Sequence, residues 1–146
     1  MKYYRYSKRD AVKNYFPMPN EIFSLGLSAG EISVYSFLMS CEDRKTFQCH
    51  PSYKTIGRAL RMSQNTVRKY VDRLREKQLI TTEPTQVTLK NGRKHNGNLL
   101  YTIRPIEEAV RYHYEQQMIQ LEEESQQQKA LKKLAEHDRK HSKRAV

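Results

Sequence analysis

The stretch GRALRMSQNTVRKYVDRL, residues 57–74, contains two amphipathic helical patterns separated by a short break at residues 61–63. Ser63 is a favourable N-cap, because its side-chain oxygen can accept a hydrogen bond from a backbone N–H of the following turn. The apolar residues behind it recur at helical spacing and form one stripe, which comprises Val67, Tyr70, Val71 and Leu74. The stretch therefore predicts two helices joined by a tight turn, the second running over residues 63–77.

Positive charge is concentrated around this stretch. The 146-residue chain has a net charge of +11 and a pI of about 9.7. Residues 51–104 contain 12 Lys or Arg and three acidic residues, whereas residues 105–146 contain eight of each. A basic segment of this kind attracts a polyanion such as nucleic acid.

Further elements are predicted on both sides of the two helices. Upstream, Ser28 and Glu31 form a capping-box pattern, which indicates a helix through LSAGEISVYSFLMSC, and Ser52 is the predicted cap of the helix before the turn. Downstream, β-branched residues and two Asn-Gly pairs predict a hairpin. Its strands are expected at residues 86–90 and 99–104, with a basic tip in NGRKHNGN, and residues 79–83 are a further strand candidate.

The C-terminal segment, residues 105–146, predicts a long helix to about residue 137, followed by a basic tail. Its apolar and small polar residues recur three and four positions apart, which is a heptad rhythm with a polar middle. Residues 107–124 carry six acidic residues and one Arg, and residues 129–144 carry seven Lys or Arg and two acidic residues. Two such helices laid antiparallel would match opposite charges, but a single solvated helix is an equally good interpretation.

The order helix, helix, tight turn, helix and basic-tipped hairpin resembles a bacterial winged helix-turn-helix DNA-binding domain. The similarity is closest to the N-terminal domains of plasmid and mobile-element replication initiators. It covers roughly residues 16–104, and the matching positions are Pro51-Ser52, Ile56, Leu60, Ser63, Thr66-Val67, Leu74 and Leu79-Ile80. The expected fold is thus mainly α with a small β-sheet: a winged helix-turn-helix at 16–104, a basic Tyr-rich arm at 1–15 and a long helix at 105–146.

Two positions depart from the family pattern. Gly57 occupies a position where the family usually has Ala, and it would allow a close helix crossing. Arg61 occupies the position of a usual turn glycine, so it must adopt a left-handed backbone or change the turn.

The resemblance implies that the helix over 63–77 enters the major groove of double-stranded DNA and that the basic wing, residues 90–98, reaches an adjacent minor groove or its phosphates. Gln and Asn suit adenine and Arg suits guanine, so the predicted base-reading residues are Gln64, Asn65 and Arg68. The predicted phosphate contacts are Tyr53, Ser63, Thr66, Lys69 and Arg73. The predicted wing contacts are Lys90, Arg93, Lys94 and His95, and Lys54 completes the set of predicted DNA-binding residues. For Ser63, capping is as good an explanation as DNA contact.

Other classes of function find little support in the sequence. There is no nucleophile–base set and no phosphate-binding glycine loop, so we expect no enzyme activity and no cofactor. Cys41, Cys49 and His50 are too few and too unevenly spaced for a zinc site, and we expect two buried thiols instead. No apolar run is long enough to span a membrane, and the N-terminus has no signal-peptide pattern, so a cytoplasmic protein is predicted.

Two hypotheses of function remain. The first is a sequence-specific DNA binder that acts as a replication initiator or a transcriptional regulator. It is expected to be a homodimer, and the C-terminal helix is a candidate for the dimer contact. The second is a protein-interaction winged helix that docks a replication or partition partner through the C-terminal helix. The arm at 1–15 has three interpretations, which are contact with the DNA backbone, pairing as a strand and packing on a partner subunit, and packing is slightly favoured.

Overall fold

The computed structural model describes residues 15–145, which form four α-helices, a short 3-10 helix and five short strands. The 3-10 helix spans Asn20–Ser24, and the helices are α1 (Ala29–Cys41), α2 (Tyr53–Leu60), α3 (Gln64–Glu76) and α4 (Ile106–Arg144). The strands are β1 (Gln48–Cys49), β2 (Ile80–Glu83), β3 (Gln86–Thr88), β4 (Lys94–Asn96) and β5 (Leu100–Ile103). The fold is mainly helical with a small antiparallel sheet, as the sequence predicts.

The chain divides into two compact units, of which the first ends at Val110 and the second begins at Arg111. In the first unit, α1–α3 and the strands β1, β2 and β5 share one core, built around Ile22, Tyr35, Leu38, Ile56, Val67, Leu74 and Tyr101. The start of α4 belongs to this unit: Ala109 is buried, and the Arg104 guanidinium pairs with the Glu108 carboxylate at 2.7 Å. The second unit is the remainder of α4.

The strands form two sheets rather than one. The three-stranded sheet has the order β1-β5-β2, with Gln48 and Thr81 both opposite Thr102. The β3–β4 hairpin is separate, and its turn lies at Leu89–Arg93, where Gly92 has a φ of 80°. The prediction that the strand at 99–104 completes the hairpin is therefore wrong. The first Asn-Gly pair makes the turn, whereas the second ends β4 and leads the chain to β5.

The turn between α2 and α3 depends on Gly57. The backbone N–H of Met62 donates to the carbonyl of Gly57 at 2.9 Å, which brings the chain back over the last turn of α2. A Cβ atom on Gly57 would lie 2.5 Å from the carbonyl oxygen of Met62. Arg61 ends α2 with φ 55° and ψ 48°, a left-handed backbone, so the turn keeps its shape without a glycine there. Gly57 is thus required by the turn itself, more than by the crossing of two helices.

A buried carboxylate joins α1 to α3. Glu31 is only 2% exposed, and it completes the predicted capping box by accepting the backbone N–H of Ser28 at 3.2 Å. The same carboxylate receives the ammonium of Lys77 at 2.9 Å and the guanidinium of Arg73 at 3.6 Å. Since a buried charge needs such partners, this contact fixes the C-terminal half of α3 against the start of α1.

A second contact between α1 and α3 lies beside this carboxylate. A Cβ on Gly30 would lie 2.2 Å from the ring of Tyr70, so the ring covers the glycine directly. The prediction that Tyr70 turns inward is confirmed. The Tyr70 side chain is half-buried and packs against the outside of the core rather than within it.

Several boundaries and burial states differ from expectation. Cys49 is buried, and burial raises the pKa of its thiol to about 12. Cys41 is exposed, so the prediction of two buried thiols is wrong for Cys41.

Helix α4 continues to Arg144 rather than ending near residue 137. The predicted arm at 1–15 lies outside the described residues except for Tyr15. Among the helices of residues 15–145, none is long and apolar enough to cross a membrane.

We predict that Gly57→Ala destabilises the first unit. Alanine is the better helix former by about 1 kcal/mol, but its methyl group would meet a backbone oxygen that cannot move without opening the turn. We expect a net loss of roughly 1–3 kcal/mol in the free energy of unfolding, measured by urea denaturation.

Arg61→Gly is the matched control at the same turn. It relieves a left-handed backbone that costs a non-glycine residue about 1 kcal/mol, so it should leave stability unchanged or raise it. Equal stability of Gly57→Ala and the unmodified protein would contradict the close approach.

We predict that Glu31→Ala lowers the free energy of unfolding by about 2 kcal/mol or more, because it removes a helix cap and a charge-assisted hydrogen bond. Glu31→Gln, which keeps the size of the side chain, should cost less. Glu21→Ala, at an exposed carboxylate, is the control and should change stability by less than about 0.5 kcal/mol. If Glu31→Ala behaved like Glu21→Ala, the carboxylate would not be joining the two helices.

Candidate nucleic-acid interface

Helix α3 has one buried face and one exposed polar face. Val67, Val71 and Leu74 have no exposed surface and hold the helix in the core. The exposed residues of its first two turns are the predicted base-reading residues Gln64, Asn65 and Arg68, together with Lys69. These four side chains contribute two amide groups and two cations, a combination that suits base edges and phosphates.

The start of α3 is fixed by Ser63, whose hydroxyl accepts the backbone N–H of Thr66 at 3.2 Å and lies 2.8 Å from the Thr66 hydroxyl. Capping therefore accounts for both hydroxyl side chains without DNA, and their contact with phosphate stays a prediction. The cap also leaves Gln64 and Asn65 outside this hydrogen-bonded pair. The positive end of the α3 dipole lies at this position, which favours a nearby anion.

Arg68 is held by an aromatic ring from the preceding helix. Its guanidinium carbon lies 5.7 Å from the centroid of the Tyr53 ring, a cation–π distance. Tyr53 is half-buried at the first position of α2, whereas Arg68 is exposed. The ring restricts the positions that the guanidinium can take, so the side chain is partly ordered before any ligand arrives.

Tyr53 also lies beside the base of the β3–β4 hairpin. Tyr53, Gly97, Leu99 and Tyr101 line one shallow depression. Next to it, the side-chain amide of Asn98 donates to the carbonyl of His50 at 3.2 Å. The residues that follow β4 are thereby tied to the loop that precedes α2, and Tyr53 connects this region with α3.

The same base is closed by a contact between the two sides of the hairpin. Gly97 N–H donates to the Thr85 carbonyl at 2.7 Å, and the Thr85 hydroxyl donates to the carbonyl of Asn98. A Cβ on Gly97 would lie 2.5 Å from the Thr85 hydroxyl oxygen, so the second Asn-Gly pair is needed here for close packing.

The basic residues of the hairpin are all exposed. Lys90 and Arg93 lie in its turn, and Asn91 shapes this turn by accepting the backbone N–H of Arg93 at 3.1 Å. Lys94 lies in β4 opposite Thr88 rather than at the tip. The hairpin therefore presents three cations, two at its turn and one along its strand.

Arg73 differs from the other predicted site residues, because its guanidinium pairs with the buried Glu31. Its side chain is 43% exposed, so a phosphate contact is sterically open to it and stays a prediction. Lys54, the remaining predicted residue, is exposed at the second position of α2.

Three features of this surface were not predicted from the sequence: the Tyr53–Arg68 stack, the Asn98–His50 hydrogen bond and the Glu31–Lys77 ion pair. Each joins residues that are distant in the chain, and the sequence contains no local signal for such pairs. The sequence predicts Tyr53 and Arg68 as separate DNA contacts.

Comparison with known proteins finds a family model that matches part of the chain. Residues 25–80 match the family described as a helix-turn-helix domain. A search of curated proteins finds no match.

The solved structures that resemble the chain include two that are described as regulators of transcription. One, a possible transcriptional regulator from Methanosarcina mazei Go1, has 18% identity and a TM-score of 0.46, with 84% of this chain and 88% of that chain covered. The other, a probable transcriptional regulator from Pseudomonas aeruginosa, has 22% identity and a TM-score of 0.34, with 75% and 79% covered. The family match spans α1, α2, α3 and the first residue of β2, which is the part of the chain that contains the exposed polar face of α3.

Proposed function

We propose that the protein is a non-enzymatic, sequence-specific binder of double-stranded DNA that inserts α3 into the major groove. The observation that carries the proposal is the exposed face at the start of α3, where Gln64, Asn65 and Arg68 stand on a helix-turn-helix domain. The concentration of positive charge in residues 51–104 supports it, because phosphate neutralisation supplies much of the affinity for DNA.

In this proposal the contacts fall into two groups. Gln64, Asn65 and Arg68 read base edges, and the remaining cations position the protein on the phosphates. The β3–β4 hairpin acts as the wing, with Lys90, Arg93 and Lys94 directed at a minor groove or its phosphates.

Two biological roles follow from the same DNA contacts, transcriptional regulation and initiation of plasmid or mobile-element replication. Selection of bound sequences from a random duplex pool tests the proposal and also distinguishes the roles. An enriched motif is expected, and its position near promoters or within replication origins indicates the role. A pool without enrichment would overturn the proposal of sequence-specific binding.

A protein-interaction role through α4 is the second candidate, and the exposed apolar side chains Tyr114, Leu121 and Leu131 favour it. It predicts weak DNA binding without sequence preference, together with capture of a partner protein through α4. The duplex selection therefore separates the two candidates.

We predict that Arg68→Ala flattens the preference at one base position. A bidentate Arg–guanine pair is worth about 1–3 kcal/mol of discrimination, so the ratio between the best and second-best base should fall by roughly five- to 150-fold. The measurement is a fluorescence anisotropy titration of matched and single-substitution duplexes. Lys69→Ala, one residue further along the helix, is the control.

The control should behave differently, because Lys69 is assigned to phosphate. We expect it to weaken all duplexes to the same extent and to lower the salt dependence of the binding constant by about one unit. A uniform loss for Arg68→Ala would contradict the base-reading assignment.

We predict that Tyr53→Leu lowers the same base preference by about two- to fivefold, because the ring holds Arg68 with a cation–π energy of about 0.5–1 kcal/mol. Tyr53→Phe keeps the ring and should keep the preference, while any contact of the hydroxyl with phosphate would appear as a uniform loss of affinity. Equal selectivity of the Leu and Phe variants would rule out a positioning role for Tyr53.

A further inference from the structure

The second unit of the chain is a helix whose apolar side chains are exposed. From Tyr114 to the end of α4, every described side chain is exposed. Tyr114, Leu121, Leu131 and Leu134 are each about 60% exposed or more. Helices in proteins gain most of their stability from packing an apolar face, so an apolar stripe on a helix of this length indicates an interface.

The stripe follows a coiled-coil spacing. Tyr114, Met118 and Leu121 are separated by four and three residues, and Leu121, Gln128 and Ala135 follow one another at intervals of seven. Leu131 lies three residues beyond Gln128 on the same side. Ile119 and Leu134 are also exposed and apolar, but Ile119 lies about 140° around the helix from Tyr114 and Leu134 about 140° from Leu121, so both are outside the stripe.

The charges of the helix distinguish between two orientations of a second copy. Residues 107–124 are acidic and residues 129–144 are basic. Two parallel copies would place acidic residues beside acidic residues and basic beside basic over the whole length. Two antiparallel copies would place the acidic half of each against the basic half of the other, which is favourable for charges a few ångströms apart.

The positions of the leucines give the register. Leu121 and Leu131 are each five residues from Gln126. A two-fold axis at Gln126 therefore places Leu121 opposite Leu131 of the second copy. The same axis places the acidic residues 122–124 at the level of residues 128–130 of the second copy, which include Lys129.

This symmetry is the reason for choosing a second copy over an unrelated protein. A two-fold interface must be complementary to itself, and here one helix supplies both signs of charge and both sets of apolar residues. The polar residues Ser125 and Gln128 lie near the axis, where buried polar side chains commonly fix the register at some cost in stability.

We infer that α4 is a homodimerisation element that pairs antiparallel with α4 of a second copy, with the two-fold axis at Gln126. The inference concerns residues 111–145 alone and does not depend on DNA binding, so a duplex selection and a dimer measurement can fail separately.

The first test is the mass of the full chain in solution, measured by light scattering. We expect twice the 17.4 kDa of one chain. Leu121→Ala, within the stripe, should weaken the dimer at least tenfold, whereas the control Ile119→Ala, outside the stripe, should not. A monomeric protein, or equal effects of the two variants, would overturn the inference.

The second test determines the orientation by disulfide formation. Leu121→Cys and Leu131→Cys are prepared separately in a Cys41→Ser background, because Cys41 is exposed, and are then mixed in a glutathione redox buffer. Antiparallel pairing at the stated register gives mainly the mixed disulfide. Parallel pairing gives mainly the disulfide of each variant with itself, and that result would overturn the inference even if the protein is a dimer.

A third test uses the charges. Replacing Lys129, Lys132 and Lys133 by Glu makes both halves acidic, and replacing Glu122, Glu123 and Glu124 by Lys makes both halves basic. We expect each variant alone to be monomeric and an equimolar mixture to form a dimer, with circular dichroism confirming that the first unit is folded in both. Unchanged dimerisation of both variants alone would contradict the role of the charges.

Discussion

The approach of the Met62 carbonyl to the α-carbon of Gly57 is the constraint on which the site depends. With a Cβ at this position only 2.5 Å from that oxygen, the turn exists in this form only because residue 57 has no side chain. The turn determines where Ser63 caps the next helix, and the cap determines which residues occupy the first exposed turns of α3. One missing methyl group in α2 therefore sets the position of Gln64, Asn65 and Arg68.

The other end of α3 is fixed in a different way. The carboxylate of Glu31 is removed from water by the start of α1, so it needs cationic partners, and the chain supplies them from Arg73 and Lys77. Both cations remain partly exposed, which reduces the cost of desolvating them. The helix is thus held by a steric constraint at its N-terminus and by an ion pair at its C-terminal end, and the polar residues between these points are left available for a ligand.

The features that the sequence predicted are the local ones. Ser28, Ser52 and Ser63 all cap helices as expected, because a cap depends on residues no more than three positions apart. Strand pairing is not local, and this explains the error in the hairpin. Two Asn-Gly pairs stand close together, and choosing the first as the turn requires knowing that β5 pairs with β1 and β2. The Glu31–Lys77 ion pair joins residues that are 46 positions apart, so the sequence pattern does not predict it for the same reason. The individual roles of the site residues depend on a ligand, so neither the pattern nor the fold tests them.

The position of Tyr53 affects how substitutions would change the DNA-sequence preference of the proposed interface. Its ring contacts the guanidinium of Arg68 on one side and lies beside the base of the β3–β4 hairpin on the other. In the proposed DNA complex, one half-buried ring therefore influences both the base-reading helix and the wing. Substitutions at Tyr53 would alter the two together, whereas substitutions at Gln64 or Asn65 would alter the helix alone.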